Sequence, residues 1–163
     1  MTDTDWPPLA TCSYTEYRTE MGIPVRFTVG APRWRLPYTL AGVARLCTPT
    51  RAMLSLPKDA YALAYRRHLA AAEGSGRGLD AIAAELVRLA VDAHLEDRPE
   101  GEQRLVLLCF ERLNETAKGG GENWCHRSMF AAWWTEQTGQ EVPELGAHFV
   151  PRTDVSMLPW PAS

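Results

Sequence analysis

The stretch between Leu105 and Thr138 constrains the fold more than any other part of the sequence. It begins with an apolar run of strand length, continues through a polar, glycine-rich loop, and ends in a helically spaced segment that stops at Gly139. An apolar run without polar interruptions is typical of a strand covered on both faces. A glycine just past the last periodic residue is a common helix stop. The sequence therefore predicts a strand, a loop and a helix in succession.

Chemically capable side chains stand at both junctions of this unit. Cys109 and Glu111 are at the carboxyl end of the strand, on the same side because side chains alternate along a strand. Cys125, His126 and Arg127 open the helix. Open α/β sheets bind ligands at their carboxyl edge, and a helix N-terminus favours anions and thiolates. The sequence thus predicts a site where the strand and the helix meet, without naming its substrate.

Length and composition indicate one ordinary globular domain. The chain has 163 residues, of which 45% are hydrophobic and 23% charged, enough for a substantial core. No apolar run approaches the roughly 20 residues needed to span a membrane, and the first residues are acidic rather than signal-like. Four scattered cysteines do not make a secreted disulfide framework. We therefore expect a cytoplasmic protein with no membrane partner.

Positive charge is concentrated in one part of the chain. From Arg18 to Arg67 there are nine Lys and Arg against two acids, a net charge of +7, which leaves −10 elsewhere because the whole chain carries −3. This asymmetry predicts an anion-facing half; the alternative is compositional, since arginine outnumbers lysine throughout. The negative total argues against extended, non-specific binding of nucleic acid.

Five shorter segments around the central unit carry secondary-structure patterns. Two have the β-branched and aromatic content of short strands, two have helical periodicity, and one suits an edge strand, where a proline is tolerated. In chain order they are strand 9–12, strand 25–29, helix 57–73, helix 79–94 and edge strand 140–145.

These elements predict a single Rossmann-like α/β domain with a small, mostly parallel sheet and helices on both faces. We assign residues 9–145 to this domain. Residues 1–8 are expected to be a frayed N-terminus and residues 146–163 an extended tail.

Arginine stands beside aromatic residues near the ends of the first two predicted strands. Arg33 and Trp34 lie in a loop that two prolines keep from being helical, Arg26 precedes it, and Tyr14 follows the first strand. Such a combination holds a phosphate and stacks on a planar ring. We predict that these four residues contact an anionic, ring-bearing ligand. The alternative is a surface loop whose tryptophan caps the core.

Two short motifs resemble a known family. The Cys-x-Glu motif at Cys109 and the Cys-His-Arg motif at Cys125 resemble the pattern of the domain-of-unknown-function 488 family, small α/β domains from bacteria, archaea and phages. The likeness covers roughly residues 9–145. The chain departs from it in lacking an Asp before Arg26 and in a longer loop at residues 112–123. The resemblance implies the α/β fold and the position of the site, but no established activity.

Three uses of the cysteines remain open. Cys109, Cys125 and His126 could bind a metal ion, although the sequence has no CxxC. Cys125 could be a reactive thiolate, favoured by the helix N-terminus and Arg127. Otherwise the cysteines pack as small residues, and Glu111 acts either as a general base or in an ion pair with Arg127.

The combined prediction is an enzyme that processes a nucleotide or a nucleic-acid base in a pocket at the carboxyl edge of the sheet. Glu111, Cys125 and His126 are the predicted catalytic residues, while no metal ligand is assigned and the cofactor is unknown. The predicted ligand-binding residues, which would hold an anionic small molecule or a base, are Tyr14, Arg26, Arg33, Trp34, Arg127 and Ser128. The alternatives are a non-catalytic protein that binds or sequesters a small phosphorylated ligand, and a metal-stabilised interaction module.

Overall fold

The computed structural model describes residues 6–71, 76–113 and 124–146. Residues 1–5 of the expected frayed N-terminus and residues 147–163 of the expected tail lie outside the described residues. The described chain contains three strands and three α-helices and is therefore α/β. The elements are β1 (Leu9–Ser13), β2 (Ile23–Arg26), α1 (Lys58–Leu69), α2 (Leu79–Asp92), β3 (Leu105–Cys109) and α3 (His126–Thr138), with 3-10 turns at Thr19–Met21, Arg51–Ser55 and Leu95–Asp97.

The three strands form one all-parallel sheet in the order β1-β3-β2. Leu105 of β3 pairs with Leu9 on one side and with Ile23 on the other. Because β3 is central, all five of its residues are buried, which explains its uninterrupted apolar run. The predicted first and central strands are confirmed. The second begins two residues earlier than expected and ends at Arg26, whose side chain bonds to the main chain just beyond the strand.

Both outer strands have one more chain segment beside them. Thr11 of β1 forms a parallel bridge with Glu144, and Arg26 of β2 forms one with Val43. The edge strand expected at residues 140–145 is therefore present as a single bridge only. A proline immediately before the bridge has no N–H to donate, which limits further pairing.

The three helices pack on one face of the sheet. The core between them combines strand residues such as Val25 and Leu107 with helix residues such as Tyr65, Leu86 and Trp134. The opposite face has a separate core to which no described α-helix contributes. This second core contains Tyr14, Tyr17, Met21 and Leu145, with Leu36, Tyr38 and Leu40 packed against it. The expected helices on both faces are thus wrong for the described chain, because helical periodicity does not specify which face a helix covers.

The helices between β2 and β3 bury the stripes that their periodicity predicts. Tyr61, Tyr65 and Leu69 are the buried residues of α1. This helix ends four residues earlier than expected, because Ala70 leaves the helical region with φ −94° and ψ 27°. The buried face of α2 is centred on Leu86, and α2 ends within two residues of its expected end.

The boundaries of α3 set the position of the site. The helix ends as predicted at Gly139, whose φ of 76° is left-handed and suits glycine. Cys125 precedes its first residue in extended conformation. The side chains at this N-terminus therefore lie next to the carboxyl end of the sheet. Among the described residues, no helix has the length and apolarity that crossing a bilayer requires.

Candidate functional site

A cavity of about 270 Å³ opens at the carboxyl end of β3, where α3 begins. The segments that follow β2 and β3 surround it together with parts of α1 and α3 and the 3-10 turn at Arg51–Ser55. Its lining residues are Thr28, Val29, Gly30, Pro49, Leu54, Tyr61, Phe110, Glu111, Trp124, Cys125 and His126. The structure thus brings together the three predicted catalytic residues in one cavity, which we call the thiol cavity.

Cys109, Cys125 and His126 form a buried cluster at the base of the thiol cavity. Their exposed fractions are 0%, 3% and 8%. His126 Nε2 donates to the carbonyl oxygen of Phe27 at 2.5 Å, so this nitrogen carries a proton and the orientation of the ring is fixed. Cys109 Sγ lies 3.2 Å from His126 Nε2, and Cys125 Sγ lies 3.7 Å from His126 Nδ1. Each sulfur therefore faces a different ring nitrogen.

The environment of Cys125 favours a thiolate. Burial of this thiol opposes its ionisation. Hydrogen bonds with Cys109 and His126, and the electrostatic attraction of His126 and Arg127, act in the opposite direction and hold the pKa of Cys125 well below its ordinary value. Burial and the neighbouring Cys125 raise the pKa of Cys109 well above its ordinary value. Of these two thiols, Cys125 is therefore the one that ionises, while Cys109 keeps its proton and donates a hydrogen bond to the Cys125 thiolate.

Glu111 has the electrostatics of a group that exchanges a proton near neutrality. Burial, followed by the negative charge of Cys125 and a hydrogen bond with it, raises the pKa of Glu111 to about 7. A carboxyl group with this pKa is partly protonated at neutral pH and can both give and take a proton. It lines the cavity together with Cys125 and His126.

The cysteine and histidine cluster could also hold a soft divalent metal ion. One ligand atom from each of Cys109, Cys125 and His126 lies within 4.8 Å of the others. Tetrahedral zinc requires all ligand atoms at about 2.0–2.3 Å from one ion. Because the two sulfurs face different nitrogens of the ring, one of the side chains would have to turn before a single ion could contact all three. This arrangement fits a thiol pair bridged by an imidazole better than a preformed metal centre.

Arg127 does not reach the thiol cavity. Its side chain is fully buried, and its Nε donates to Glu144 Oε1 at 2.7 Å. Thr11 Oγ1 donates to the same carboxylate oxygen at 3.0 Å. The expected ion pair between Arg127 and Glu111 is therefore wrong, because the segment that bridges β1 brings a closer carboxylate. Arg127 acts on the cavity only through its charge, which favours ionisation of Cys125.

Aromatic side chains form a cluster at one rim of the thiol cavity. Tyr14 is 1% exposed, its hydroxyl shares a 2.7 Å hydrogen bond with Thr28 Oγ1, and its ring centre lies 5.1 Å from that of Phe110. Trp34 stands 6.0 Å from Phe110, and these two rings are 46% and 40% exposed. Tyr14 is thus a core residue that supports the rim, whereas Trp34 and Phe110 are open to a ligand.

The remaining predicted ligand-binding residues are dispersed. Arg33 is exposed on the loop after β2 and does not line the thiol cavity. Ser128 is exposed in the first turn of α3, and its N–H donates to the Cys125 carbonyl oxygen. Arg26 donates from Nε to the Thr28 carbonyl oxygen at 3.0 Å and lines a neighbouring cavity.

Sequence reasoning missed several residues of the thiol cavity. Tyr61 belongs to the buried stripe of α1, but helical periodicity does not distinguish the wall of a cavity from the core. Pro49 and Leu54 come from an irregular segment with no local signal. Strand alternation predicts that Phe110 and Glu111 point to opposite sides. Phe110 lines the same cavity as Glu111 because the chain turns after β3.

Comparisons with known proteins assign no family. No protein-family model matches the chain, and neither a curated protein nor a solved structure shows significant similarity to it. The assignment of the site therefore depends on the contacts and the electrostatics of the residues that form it.

Proposed function

We propose that the protein is an enzyme that acts on the planar ring of a nucleotide or a nucleic-acid base. The observation that carries the proposal is that Glu111, Cys125 and His126 line one cavity of about 270 Å³. In this cavity a group with a pKa of about 7 stands beside a thiol that is readily ionised. Perturbed titrating groups that converge in a cavity are characteristic of active sites.

The size and lining of the thiol cavity favour a single flat ring. Small-molecule sites usually have about 300–1,000 Å³, and this cavity lies just below that range. Tyr61, Trp124 and Phe110 supply aromatic surfaces on which a ring can stack. A base fits such a space, with the rest of a nucleotide extending beyond it.

The chemistry follows from the two titrating groups. The Cys125 thiolate adds to an electron-poor carbon of the ring, so that a sulfur–carbon bond forms and the electron pair of the broken π bond moves to a ring heteroatom. Glu111 gives its proton to that heteroatom. The electron pair then returns to the carbon and expels a group that this carbon carries, which leaves with the added proton, so that the ring stays on Cys125 as a thioether. Water gives a proton to Glu111 and adds to the same carbon. Expulsion of the Cys125 thiolate then releases a ring in which a hydroxyl group replaces the lost group. His126 positions the Cys125 sulfur and does not react itself.

The proposal extends to the fold of the domain. We propose a Rossmann-like arrangement related to the domain-of-unknown-function 488 family. A parallel sheet with a central β3 and a cavity at its carboxyl edge supports this. The Cys-x-Glu motif at Cys109 and the Cys-His-Arg motif at Cys125 support it as well.

A non-catalytic binding protein is the second candidate. The observation that favours it is the 3% exposure of Cys125, which leaves a narrow approach for a reacting atom. Such a protein would hold a small phosphorylated ligand in the same cavity without changing it.

Mass spectrometry of the protein incubated with separate pools of bases, nucleosides and nucleotides tests the proposal. We expect a converted pool member or a covalent adduct on Cys125 with the wild type, and neither with Cys125→Ser. Cys47→Ala, which changes a buried thiol outside the cavity, is the matched control and should behave as the wild type. Retention of a ligand by both wild type and Glu111→Gln, with no conversion by the wild type, would instead establish the binding protein. Stoichiometric zinc in the purified protein would favour the metal-stabilised module.

A further inference from the structure

A second cavity, of about 290 Å³, adjoins the thiol cavity. Thr28, Val29 and Pro49 line both cavities and form the wall between them. The second cavity also contains three arginines and a histidine from four separate parts of the chain, whereas its described lining residues include no carboxylate. These residues are Arg26, Arg45, His68 and Arg77, and we call this space the arginine cavity.

Arg26 is held in place without losing its charge. Its Nε donates to the carbonyl oxygen of Thr28 at 3.0 Å, and a terminal nitrogen donates to the carbonyl oxygen of Val29. Both acceptors are neutral, so they orient the guanidinium group but do not neutralise it. A fixed guanidinium loses little conformational entropy when it binds an oxyanion, and its planar fork matches a phosphate.

Arg77 brings further positive potential to the same space, and His68 supplies a ring that lies between Arg77 and the main chain. His68 Nε2 lies 3.0 Å from the Thr48 carbonyl oxygen and 3.1 Å from a terminal nitrogen of Arg77. Burial and the charge of Arg77 lower the pKa of His68, consistent with crowding of donors. Glu85 lies close to this cavity, where it attracts Arg45 and accepts from the Leu46 N–H at 3.0 Å.

We propose that the arginine cavity binds the phosphate group of the ligand whose ring enters the thiol cavity. The ligand class is a ring-bearing phosphate monoester, such as a nucleoside monophosphate, that crosses the wall formed by Thr28, Val29 and Pro49. A phosphate monoester carries close to two negative charges at neutral pH, so it suits a cavity that arginines line, with no carboxylate among its described lining residues, better than a singly charged carboxylate ligand would. This inference rests on the proposed function for the ring, while the phosphate subsite stands on the arginine cavity alone.

Isothermal titration calorimetry with inorganic phosphate, a nucleoside and the matching nucleoside 5′-monophosphate tests the subsite. We expect the monophosphate to bind at least tenfold more tightly than either of the other two. Arg45→Gln and Arg77→Gln should each weaken binding of the monophosphate and of inorganic phosphate about tenfold or more, as loss of a charged hydrogen bond does. Both side chains are exposed, so the substitutions preserve the core. Arg67→Gln removes an exposed arginine that lines neither cavity, and this matched control should bind as the wild type does.

Each outcome separates the two proposals. Equal affinity of wild type and the Arg45→Gln/Arg77→Gln double variant for inorganic phosphate would overturn the subsite. Equal affinities for the monophosphate and inorganic phosphate would overturn the proposal that one ligand spans both cavities, and would indicate that the arginine cavity binds free phosphate. Tight binding of the monophosphate without protection of Cys125 from iodoacetamide would count against the proposed function, while the phosphate subsite would stand.

Discussion

Replacing Cys109 with alanine should raise the pKa of Cys125. The wild-type Cys109 thiol donates to the Cys125 thiolate and is itself fully buried in β3. Alanine keeps the apolar contact of the strand but has no proton to donate. The substitution therefore removes one stabilising interaction of the ionised form of Cys125 and leaves the contributions of His126 and Arg127 in place.

The expected size of this change follows from the strength of one hydrogen bond. A hydrogen bond to a charged group contributes about 1.5–3 kcal/mol, and a thiol is a weak donor, so the lower end applies. One pKa unit corresponds to about 1.4 kcal/mol. The pKa of Cys125 should thus rise by about one unit in Cys109→Ala. Cys109→Ser, which retains a donor, should stay closer to the wild type.

The pH dependence of alkylation by iodoacetamide measures this pKa, because only the thiolate reacts. Peptide mass spectrometry then identifies the labelled cysteine. The other thiols do not interfere: burial, with lesser effects of Glu144 and Glu16, raises the pKa of Cys12 to about 12, and burial raises that of Cys47 well above its ordinary value. Thiolate absorbance in the ultraviolet gives the same midpoint without requiring reagent access.

Two results would refute this reasoning. A wild-type midpoint at or above the ~8.5 of a free cysteine would mean that the cluster does not activate Cys125. An unchanged midpoint in a folded Cys109→Ala protein, checked by circular dichroism, would mean that Cys109 does not donate to it.

Three further substitutions should change the free energy of unfolding. Glu111→Gln removes a carboxyl group whose pKa is about 7 in the folded protein and ordinary in the unfolded chain. Between about pH 4.5 and 7 the folded wild type therefore binds more protons at this site than the unfolded chain does, so its stability falls as the pH rises through this range. The variant should be more stable than the wild type by ~1–2 kcal/mol at pH 8 and equally stable at pH 4. Glu144→Gln should cost ~1–3 kcal/mol by leaving the buried Arg127 without its counter-charge. Gly22→Ala should cost more than ~2 kcal/mol, because φ is +139° and a Cβ atom would lie 2.5 Å from the Arg104 carbonyl oxygen. Urea denaturation measures all three.

Nearby positions provide the controls for these measurements. Glu141→Gln changes an exposed acid in the same segment as Glu144 and should have less than ~0.5 kcal/mol effect. Gly30→Ala has no atom within 4 Å of the added carbon and should be equally mild. An equal loss in Glu141→Gln and Glu144→Gln, or in Gly30→Ala and Gly22→Ala, would contradict the assigned contacts. A Glu111→Gln gain that is the same at pH 4 and pH 8 would contradict the raised pKa.

The sequence predicted the parts of the site that depend on local pattern. The apolar run predicted β3, and the helical spacing up to Gly139 predicted α3. The sequence therefore predicted that the carboxyl end of β3 lies near the start of α3. Because parallel strands and the following helix share one edge of a sheet, Glu111 and Cys125 were expected to meet, and they line one cavity.

The sequence could not predict features that depend on distant contacts. Arg127 is paired by Glu144 because residues 143–145 run beside β1, and nothing in either local pattern specifies that neighbour. Tyr14 was expected to be open to a ligand, but Trp34 and Phe110 cover it after the chain has folded back. The face that each helix covers depends on how its connection crosses the sheet, which periodicity does not encode.

The single bridges at the two margins of the sheet affect how the protein behaves at high concentration. The outer main-chain groups of β1 and β2 would otherwise template the addition of a strand from a neighbouring molecule, the first step of fibril growth. Thr11 uses both its N–H and its C=O in the bridge beside Glu144, and Arg26 does the same beside Val43. An incoming strand would have to displace these segments from the middle of each margin. The two bridges thus occupy main-chain groups that each outer strand would otherwise offer to a neighbouring molecule.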